Sequence, residues 1–261
     1  MNHRTILVAD SDSIRTITLN RPERRNAMTR EMQTELISVL EETAAMQCSA
    51  LILTGAGDAF CSGLDLSELQ TMRDKTPAEH HADAERVARL LVSLYELPLP
   101  TIAAVNGPAI AGGTGLATLC DFTLAIPEAK FGFTEVRIGF VPALVSAFLS
   151  LQVGDKRCRD LLLTGRLFGA TEAQQLGLVN EIVEREELVA RAHALAKTLL
   201  ANSPQSMSAT KRLLAAMNRT WLDAAIAAAL EAHAESRKTA DFREGITAFL
   251  EKRKPAWRNR G

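Results

Sequence analysis

The 261-residue sequence predicts a mixed α/β fold with a largely parallel sheet, followed by a helical region. Before Glu186, short apolar segments typical of strands alternate with segments whose apolar residues recur at helical spacing. From Glu186 onward the chain is rich in alanine and shows no strand pattern. We therefore expect two domains, a core of residues 1–190 and a helical domain of residues 191–261.

The amino-terminal segments predict a strand hairpin that is followed by a loop, a helix and another strand. Residues 5–9 and 13–19 are mostly apolar around a polar turn, as in a hairpin at the edge of a sheet. A polar loop (20–28), a helix with apolar positions between Met32 and Met46, and a buried strand (50–54) follow. Because strands and helices alternate, we expect right-handed crossovers and mainly parallel pairing.

Residues 66–96 are rich in charge, and their later part has a helical apolar stripe between Val87 and Leu94. The earlier part, residues 71–81, is polar and is predicted to be a mobile surface segment able to cover a site. His80 and His81 are adjacent rather than one helical turn apart, which favours solvated side chains over metal ligands.

The segment from Val105 to Asp121 combines the end of a buried strand, a glycine-rich turn and an apolar helix that begins at Gly112. The first N–H groups of a helix have no intrahelical acceptor, and the helix dipole is positive there. Gly112 and Gly113 could therefore stabilise negative charge on a ligand oxygen that approaches the backbone closely. An ordinary close-packed joint between strand and helix explains the same residues equally well.

A second glycine-bearing turn covers residues 54–66. Gly55 and Gly57 are not followed by a third glycine at the spacing of a dinucleotide-binding fingerprint, which argues against a nucleotide cofactor. Gly63 leaves the backbone free enough for the N–H of Leu64 to point out of the turn.

Glu135 is an acidic residue among the apolar residues Phe131, Phe133 and Val136. Apolar neighbours that exclude water raise the pKa of a carboxyl group, which suits it for proton transfer. A surface carboxylate paired with Arg137 is the alternative interpretation.

The remaining elements are predicted from apolar spacing and from capping residues. They are a strand at 121–126, helices at 142–153 and 156–163, a helix capped by Thr171, a closing strand at 177–182, and helices that start at Ser203, Thr220 and Thr239. The alanine-rich faces of the last helices can be buried against the core or against another subunit, and the sequence does not separate these two arrangements.

The composition argues against several functional classes. A formal net charge of −1 provides no overall field that favours nucleic acid or an anionic membrane. No apolar segment has the pattern of a signal peptide or a membrane span, so we expect a cytoplasmic protein. The cysteines are far apart and form no metal-binding motif, so we expect reduced thiols and no metal site. They are Cys48, Cys61, Cys120 and Cys158.

Several short motifs are spread over nearly the whole chain in a fixed order. They are Asn20-Arg21-Pro22 with Asn26-Ala27, Phe60 to Leu66, Asn106-Gly107 through Gly112-Gly113, Cys120-Asp121, Phe131-Gly132 with Glu135, Gly165-Arg166 through Val179, and Phe249 to Arg253. In this combination they resemble the crotonase (enoyl-CoA hydratase/isomerase) superfamily. The resemblance implies a ββα spiral core, a helical C-terminal trimerisation region, and a homotrimer or dimer of trimers. It also implies a coenzyme A thioester as substrate, with no separate cofactor.

The resemblance further implies roles for individual residues. The backbone amides of Leu64 and Gly112 match the oxyanion hole, and Glu135 matches a catalytic glutamate. The positions that match the segments around the thioester and coenzyme A are Arg24, Arg25, Ala27, Gly63, Leu64, Asp65, Leu66, Ser67 and Gly112. Phe249 and Lys252 match residues that reach coenzyme A from a neighbouring subunit.

One departure from the family pattern bears on the reaction. Most hydratases of the family carry two glutamates, and the first position is Gly115 here. In this respect, and in lacking a glycine-rich run after Pro142, the chain looks similar to bacterial 3-methylglutaconyl-CoA hydratases of leucine and isovaleryl-CoA metabolism. This similarity implies reversible hydration of a short branched enoyl-CoA, with 3-methylglutaconyl-CoA and 3-hydroxy-3-methylglutaryl-CoA as the pair. The distal carboxylate of such a substrate requires a cation, and Arg137 is one candidate.

Other functions on the same scaffold remain open at this point. An enoyl-CoA isomerase or a decarboxylase could use the same parts. A non-catalytic acyl-CoA-binding or RNA-binding paralogue is a further alternative, which the single glutamate favours.

Overall fold

Nine short strands and ten α-helices alternate along the part of the chain that the computed structural model describes, residues 3–46, 49–72 and 74–257. The strands are β1 (Ile6–Ser11), β2 (Ile14–Leu19), β3 (Ala50–Gly55), β4 (Thr101–Val105), β5 (Ala109–Ile110), β6 (Phe122–Ala125), β7 (Lys130–Gly132), β8 (Phe168–Gly169) and β9 (Glu181–Ile182). The helices are α1 (Arg30–Ala45), α2 (Leu66–Met72), α3 (Pro77–Tyr95), α4 (Gly112–Leu119), α5 (Ala143–Val153), α6 (Asp155–Thr164), α7 (Ala170–Gln175), α8 (Leu188–Leu200), α9 (Pro204–Ser236) and α10 (Ala240–Leu250). Two 3₁₀ turns occur at Pro22–Arg24 and Glu135–Ile138.

Six of the strands form the main sheet, in the order β1-β2-β3-β4-β6-β9. β1 is antiparallel to β2, and the other neighbours pair in parallel. The predicted hairpin at the sheet edge and the predicted parallel pairing are thus confirmed. A second sheet, β5-β7-β8, was not predicted, because strands of two or three residues show too little alternation to be recognised.

The central strands β3 and β4 are buried along their whole length, as their unbroken apolar sequences require. Helices cover the sheet, and α8 packs on β3 and β4. Leu188, Ala192 and Ala196 of α8 are at most 1% exposed, so this helix belongs to the main hydrophobic core. The boundary proposed near residue 190 falls inside α8, and the division into two domains stays a prediction.

The region after Glu186 is helical, as expected. Two predicted helix starts are wrong, one in this region and one before it. Thr220 lies inside α9, whose 33 residues continue through it because the alanine-rich sequence contains no helix breaker. Thr171 lies within α7, whose N-cap is Gly169. Ser203 and Thr239 do cap helices: their side-chain oxygens accept backbone hydrogen bonds at 3.3 Å and 3.1 Å.

Two segments for which no regular structure was predicted contain helix or strand residues. Residues 71–81 include the end of α2 and the start of α3, where Thr76 and Glu79 form a capping box with Pro77 in the first turn. Residues 130–139 contain β7 and the second 3₁₀ turn. Both segments are therefore shaped by local capping and strand pairing that their sequences do not reveal.

Within the described residues, no helix has the length and apolar character needed to cross a membrane. Cys61, Cys120 and Cys158 are free thiols buried in the core, as expected, whereas Cys48 lies outside the described residues.

Candidate active site

A cavity of about 830 Å³ opens where the loop at residues 20–28, the turn at residues 62–66 and the start of α4 meet. Its other walls come from α2, α3, the 3₁₀ turn Glu135–Ile138, and the ends of α5, α9 and α10. The accessible surface of this lining is mainly apolar, although many of the lining residues are charged. This mixture is typical of a small-molecule site.

Asn26 shapes the loop that forms one wall of the cavity. Its backbone is left-handed, with φ of +53°, and its side chain is fully buried. The side-chain Oδ1 accepts a hydrogen bond from Arg21 N at 2.8 Å, and Nδ2 donates to the carbonyls of Ala56 and Ala59, each at 2.8 Å. One side chain thus ties this loop to the turn that follows β3.

Arg21 joins the same loop to the turn at residues 62–66. Its Nη1 lies 2.7 Å from Asp65 Oδ2, and Asp65 Oδ1 accepts hydrogen bonds from Ser67 N (2.9 Å) and Ser67 Oγ (2.7 Å). Burial opposes ionisation of Asp65, but the hydrogen bonds from Ser67 and Arg21 outweigh it and hold the pKa below the usual value. Asp65 therefore acts as a fixed carboxylate that orients the turn.

The N–H of Leu64 is free to bind a ligand. Gly63 has a φ of +88°, a conformation that strains any residue with a β-carbon. Met28 N donates to Gly63 O at 2.7 Å, and Asp65 N donates to Met28 O at 3.0 Å. Leu64, which lies between them and lines the cavity, has no acceptor for its N–H among the described residues.

The N–H of Gly112 is placed beside this turn by strand-like pairing. Gly112 is the first residue of α4, and no described residue accepts its N–H. Just before it, Ala111 N donates to Gly132 O at 2.7 Å and Ile110 N donates to Cys61 O at 2.8 Å. Because these bonds hold the start of α4 against the turn, both free N–H groups belong to residues that line one cavity.

Glu135 begins the second 3₁₀ turn and lines the same cavity. Its Oε2 atom is buried and has no hydrogen-bond partner within the described chain. This burial raises the pKa of the carboxyl to about 7, in the direction expected from the apolar sequence around it. Arg137 is exposed beside Gly165 and makes no described ion pair with Glu135, so the alternative of a surface pair is wrong.

Most of the predicted site residues line the cavity, and the rest support it or lie outside it. Those in the wall are Arg24, Arg25, Ala27, Leu64, Asp65, Leu66, Gly112, Glu135 and Phe249. Gly63 and Ser67 hold the turn without lining the cavity, and Gly115 is buried inside α4. Lys252 is exposed outside the wall. Contact of Phe249 and Lys252 with coenzyme A on a neighbouring subunit stays a prediction.

Sequence reasoning missed a polar cluster at the end of α9. Arg237 is 6% exposed, and its guanidinium lies 2.6 Å from His80 Nδ1 and 2.8 Å from His233 Nε2. His80 was predicted to be solvated rather than a metal ligand; it is half-buried and hydrogen-bonded, because the start of α3 packs against the end of α9. His81, by contrast, is exposed and pairs with Glu85. His80 and Arg237 are 157 residues apart, so no local pattern could link them.

Two free N–H groups and a buried carboxyl around one apolar cavity define a class of enzyme that stabilises an oxyanion while moving a proton. Within the described residues, no three His, Cys, Asp or Glu side chains are grouped so as to hold a metal ion. Residues 9–260 match the family described as enoyl-CoA hydratase/isomerase, and the chain belongs to this family. The predicted membership of the crotonase superfamily is thus confirmed.

Relatives and solved structures cover nearly the whole chain. It is 45% identical over 238 residues to a putative enoyl-CoA hydratase of Thermus thermophilus, covering 91% of this chain and 94% of that protein. It is 32% identical over 259 residues to the crotonyl-CoA hydratase of Syntrophomonas wolfei, covering 97% of this chain and 98% of the other. The crystal structure of an enoyl-CoA hydratase/isomerase from Xanthobacter autotrophicus Py2 matches with a TM-score of 0.89 and 31% identity, over 98% of this chain and 100% of that one. The predicted fold and the general enzyme class, a carbon–oxygen lyase of the enoyl-CoA hydratase type, are confirmed.

Proposed function

We propose that the protein reversibly adds water to a short branched 2-enoyl-CoA, with 3-methylglutaconyl-CoA and 3-hydroxy-3-methylglutaryl-CoA as the reacting pair. The observation that carries this proposal is the buried, unpartnered Oε2 of Glu135 in the same cavity as the free N–H groups of Leu64 and Gly112. The reaction needs no cofactor, since coenzyme A is part of the substrate, and we place it in the cytoplasm.

In this proposal the two backbone amides hold the thioester oxygen. When water adds to the β-carbon, electron density moves onto that oxygen and an enolate forms. The N–H groups of Leu64 and Gly112 would donate to it, and the positive end of the α4 dipole adds to the attraction. Loss of one such donor typically raises the barrier by about 3 kcal/mol.

Glu135 would move the proton. With a pKa of about 7, both its ionised and its protonated forms are populated near neutral pH. The carboxylate takes a proton from water as the water oxygen bonds to the β-carbon, and the resulting carboxylic acid returns that proton to the α-carbon. Because the same proton is returned, one carboxyl can complete the addition without the second glutamate that Gly115 replaces.

We place the adenine and phosphates of coenzyme A near Arg24, Arg25 and Ala27. Both arginines are exposed and line the cavity, so their charges can approach phosphate oxygens without the cost of burial. Asn26 and Arg21 hold the loop in the required conformation.

We also propose that the chain assembles as a homotrimer or a dimer of trimers. α9 carries a stripe of apolar side chains whose exposed fractions range from 47% to 74%, which is typical of a protein interface. They are Leu213, Leu214, Met217 and Trp221.

One observation favours a second candidate, an enoyl-CoA isomerase or decarboxylase. Gly115 leaves Glu135 as the sole carboxyl at the two matching positions, and a single base suffices to move a proton between two carbons of the acyl chain. This reaction would use the same oxyanion hole without consuming water.

A turnover screen separates these candidates. The purified protein is incubated with crotonyl-CoA, 3-methylglutaconyl-CoA or 3-hydroxy-3-methylglutaryl-CoA, and the products are identified by mass. We expect gain of one water by 3-methylglutaconyl-CoA and loss of one water from the hydroxylated thioester. Double-bond migration or release of CO₂ without hydration would support the second candidate. Turnover of crotonyl-CoA alone would refute the branched substrate.

A further inference from the structure

Arg237 is a buried cation in the wall of the cavity that contains Glu135. It follows the last residue of α9, and its guanidinium carbon lies 5.8 Å from the Phe140 ring centre and 6.0 Å from that of Phe242. His80 and His233 accept hydrogen bonds from its two terminal nitrogens. Its Nε atom is buried and has no partner among the described residues. Two hydrogen bonds therefore hold the side chain in place, while its Nε–H has no acceptor.

The two histidines do not neutralise this arginine. Burial, reinforced by the Arg237 charge, lowers the pKa of His233 to about 3 and also lowers that of His80. Burial lowers the pKa of Arg237 to about 10, which leaves it charged at neutral pH. The cluster thus combines two neutral imidazoles with one positive charge.

Within the described chain, Asp83 is the carboxylate that acts on all three members of this cluster, and other cations already bind it; Glu79 acts on His80 alone. Asp83 Oδ2 lies 2.6 Å from Lys75 Nζ, and Asp83 Oδ1 pairs with Arg86. No described ion pair includes Arg237. A buried charge without a counter-ion is costly, so this arrangement indicates an anion supplied by a ligand.

A second unpartnered donor strengthens this interpretation. Because His233 Nε2 accepts from Arg237, the proton of the neutral imidazole must be on Nδ1. His233 Nδ1 is also buried and has no described partner. Both residues line the cavity, so two donors without an acceptor and one positive charge belong to residues of its wall.

The cluster is linked to the backbone of the residue that carries the proposed catalytic carboxyl. Phe140, whose ring lies beside Arg237, donates its backbone N–H to Glu135 O at 3.0 Å, and all three residues line the cavity. Arg137, which the sequence suggested for this role, also lines the cavity, but it is exposed, so solvent would screen its charge. Arg237 is the better counter-ion for a group at the acyl end.

We infer that Arg237, with His233, binds the distal carboxylate of the acyl group, so that the substrate class is a mono-thioester of a dicarboxylic acid. This inference rests on the proposed function for the location of the acyl chain, and it assigns the residues that select the substrate. A neutral acyl chain would leave the Arg237 charge unpaired, which provides the discrimination.

Binding of unreactive thioesters tests the inference without turnover. Glutaryl-CoA and butyryl-CoA differ by one terminal carboxylate, and calorimetry gives the dissociation constant of each. We expect the wild-type protein to prefer glutaryl-CoA by at least about 30-fold, the usual effect of one buried hydrogen-bonded charge pair. Arg237→Met should remove this preference, Arg237→Lys should retain part of it, and Arg212→Met on an exposed part of α9 should leave it unchanged.

Each outcome decides the question. Equal wild-type affinity for the two thioesters, or an Arg237→Met protein that keeps the preference, would overturn the inference. The wild-type comparison requires no variant, so it holds even if Arg237→Met fails to fold. Preference for glutaryl-CoA without hydration of any enoyl-CoA would support the anion site and refute the proposed reaction. Hydration of an enoyl-CoA without a preference for glutaryl-CoA would support the proposed reaction and refute the anion site.

Discussion

The Cγ1 atom of Val145, on α5, lies 2.9 Å from the point that a β-carbon on Gly115 would occupy. Val145 is 8% exposed and Gly115 is buried, so the valine fills the space that a side chain at position 115 would need. The space that a glutamate at position 115 would need is therefore taken by a residue of the helix packed against it.

We expect Gly115→Glu to destabilise the protein by about 2 kcal/mol or more, because overpacking and a buried carboxylate both oppose folding. The urea midpoint of unfolding measures this loss. Gly115→Glu combined with Val145→Ala should recover part of it, beyond the sum expected from the two single variants. A wild-type midpoint for Gly115→Glu would show that Val145 does not block the position.

Asn26 should be essential for the stability of the loop beside coenzyme A. Asn26→Ala removes the acceptor of the Arg21 N–H and the donor to the Ala56 and Ala59 carbonyls, and it places alanine at a positive φ. We expect a loss of about 3 kcal/mol in the free energy of unfolding. Asn180→Ala, which removes a single hydrogen bond made by an exposed side chain, should cost about 1 kcal/mol. Equal losses in the free energy of unfolding for the two variants would show that Asn26 has no special role in the loop.

The exposed stripe on α9 should decide the oligomeric state. Met217, 74% exposed, lies one helical turn from both Leu213 and Trp221. Met217→Glu would bury a charge in the proposed interface, so we expect light scattering to show a monomer where the wild type is a trimer or hexamer. Arg212→Glu, on another face of α9, is the control. A wild-type protein that is monomeric and binds acyl-CoA refutes the proposal.

The elements that the sequence predicted well are those with a long pattern of their own. β1 to β4 and α1 carry enough apolar residues to reveal their period, and both the hairpin and the parallel sheet follow from them. α9 was divided wrongly at Thr220, because a threonine in an alanine-rich helix has the same local appearance as an N-cap.

The residues of the candidate site differ in how far the sequence alone predicted their roles. The raised pKa of Glu135 followed from its apolar neighbours, whereas the use of Leu64 and Gly112 depended on a family resemblance. Glycines alone are equally consistent with a packed joint. The contact of Arg237 with His80 depends on how α3 packs against α9, and this information is absent from either segment taken alone.

Glu135→Gln should lower turnover by about a hundredfold or more while leaving acyl-CoA binding intact, since glutamine keeps the shape of the side chain but cannot act as a base. For the wild type, kcat/KM for hydration should rise with pH until about 7 and then level off, because the carboxylate is the reactive form. Glu128→Gln, at an exposed position outside the cavity, is the matched control. Near-wild-type turnover of Glu135→Gln would place the proton transfer on another group.

Burial of Glu135 should also appear in the pH dependence of stability. Its pKa is about 7 in the folded protein, against an ordinary value of 4.5, so between these pH values the folded state binds more protons than the unfolded state. The contribution of the protonated carboxyl is therefore complete below about pH 4.5 and is lost as the pH rises through 7, by up to about 3 kcal/mol. Glutamine does not titrate, so the Tm of Glu135→Gln minus that of the wild type should increase between pH 5 and pH 8. A constant difference over this range would show that Glu135 is hydrated in solution and has an ordinary pKa.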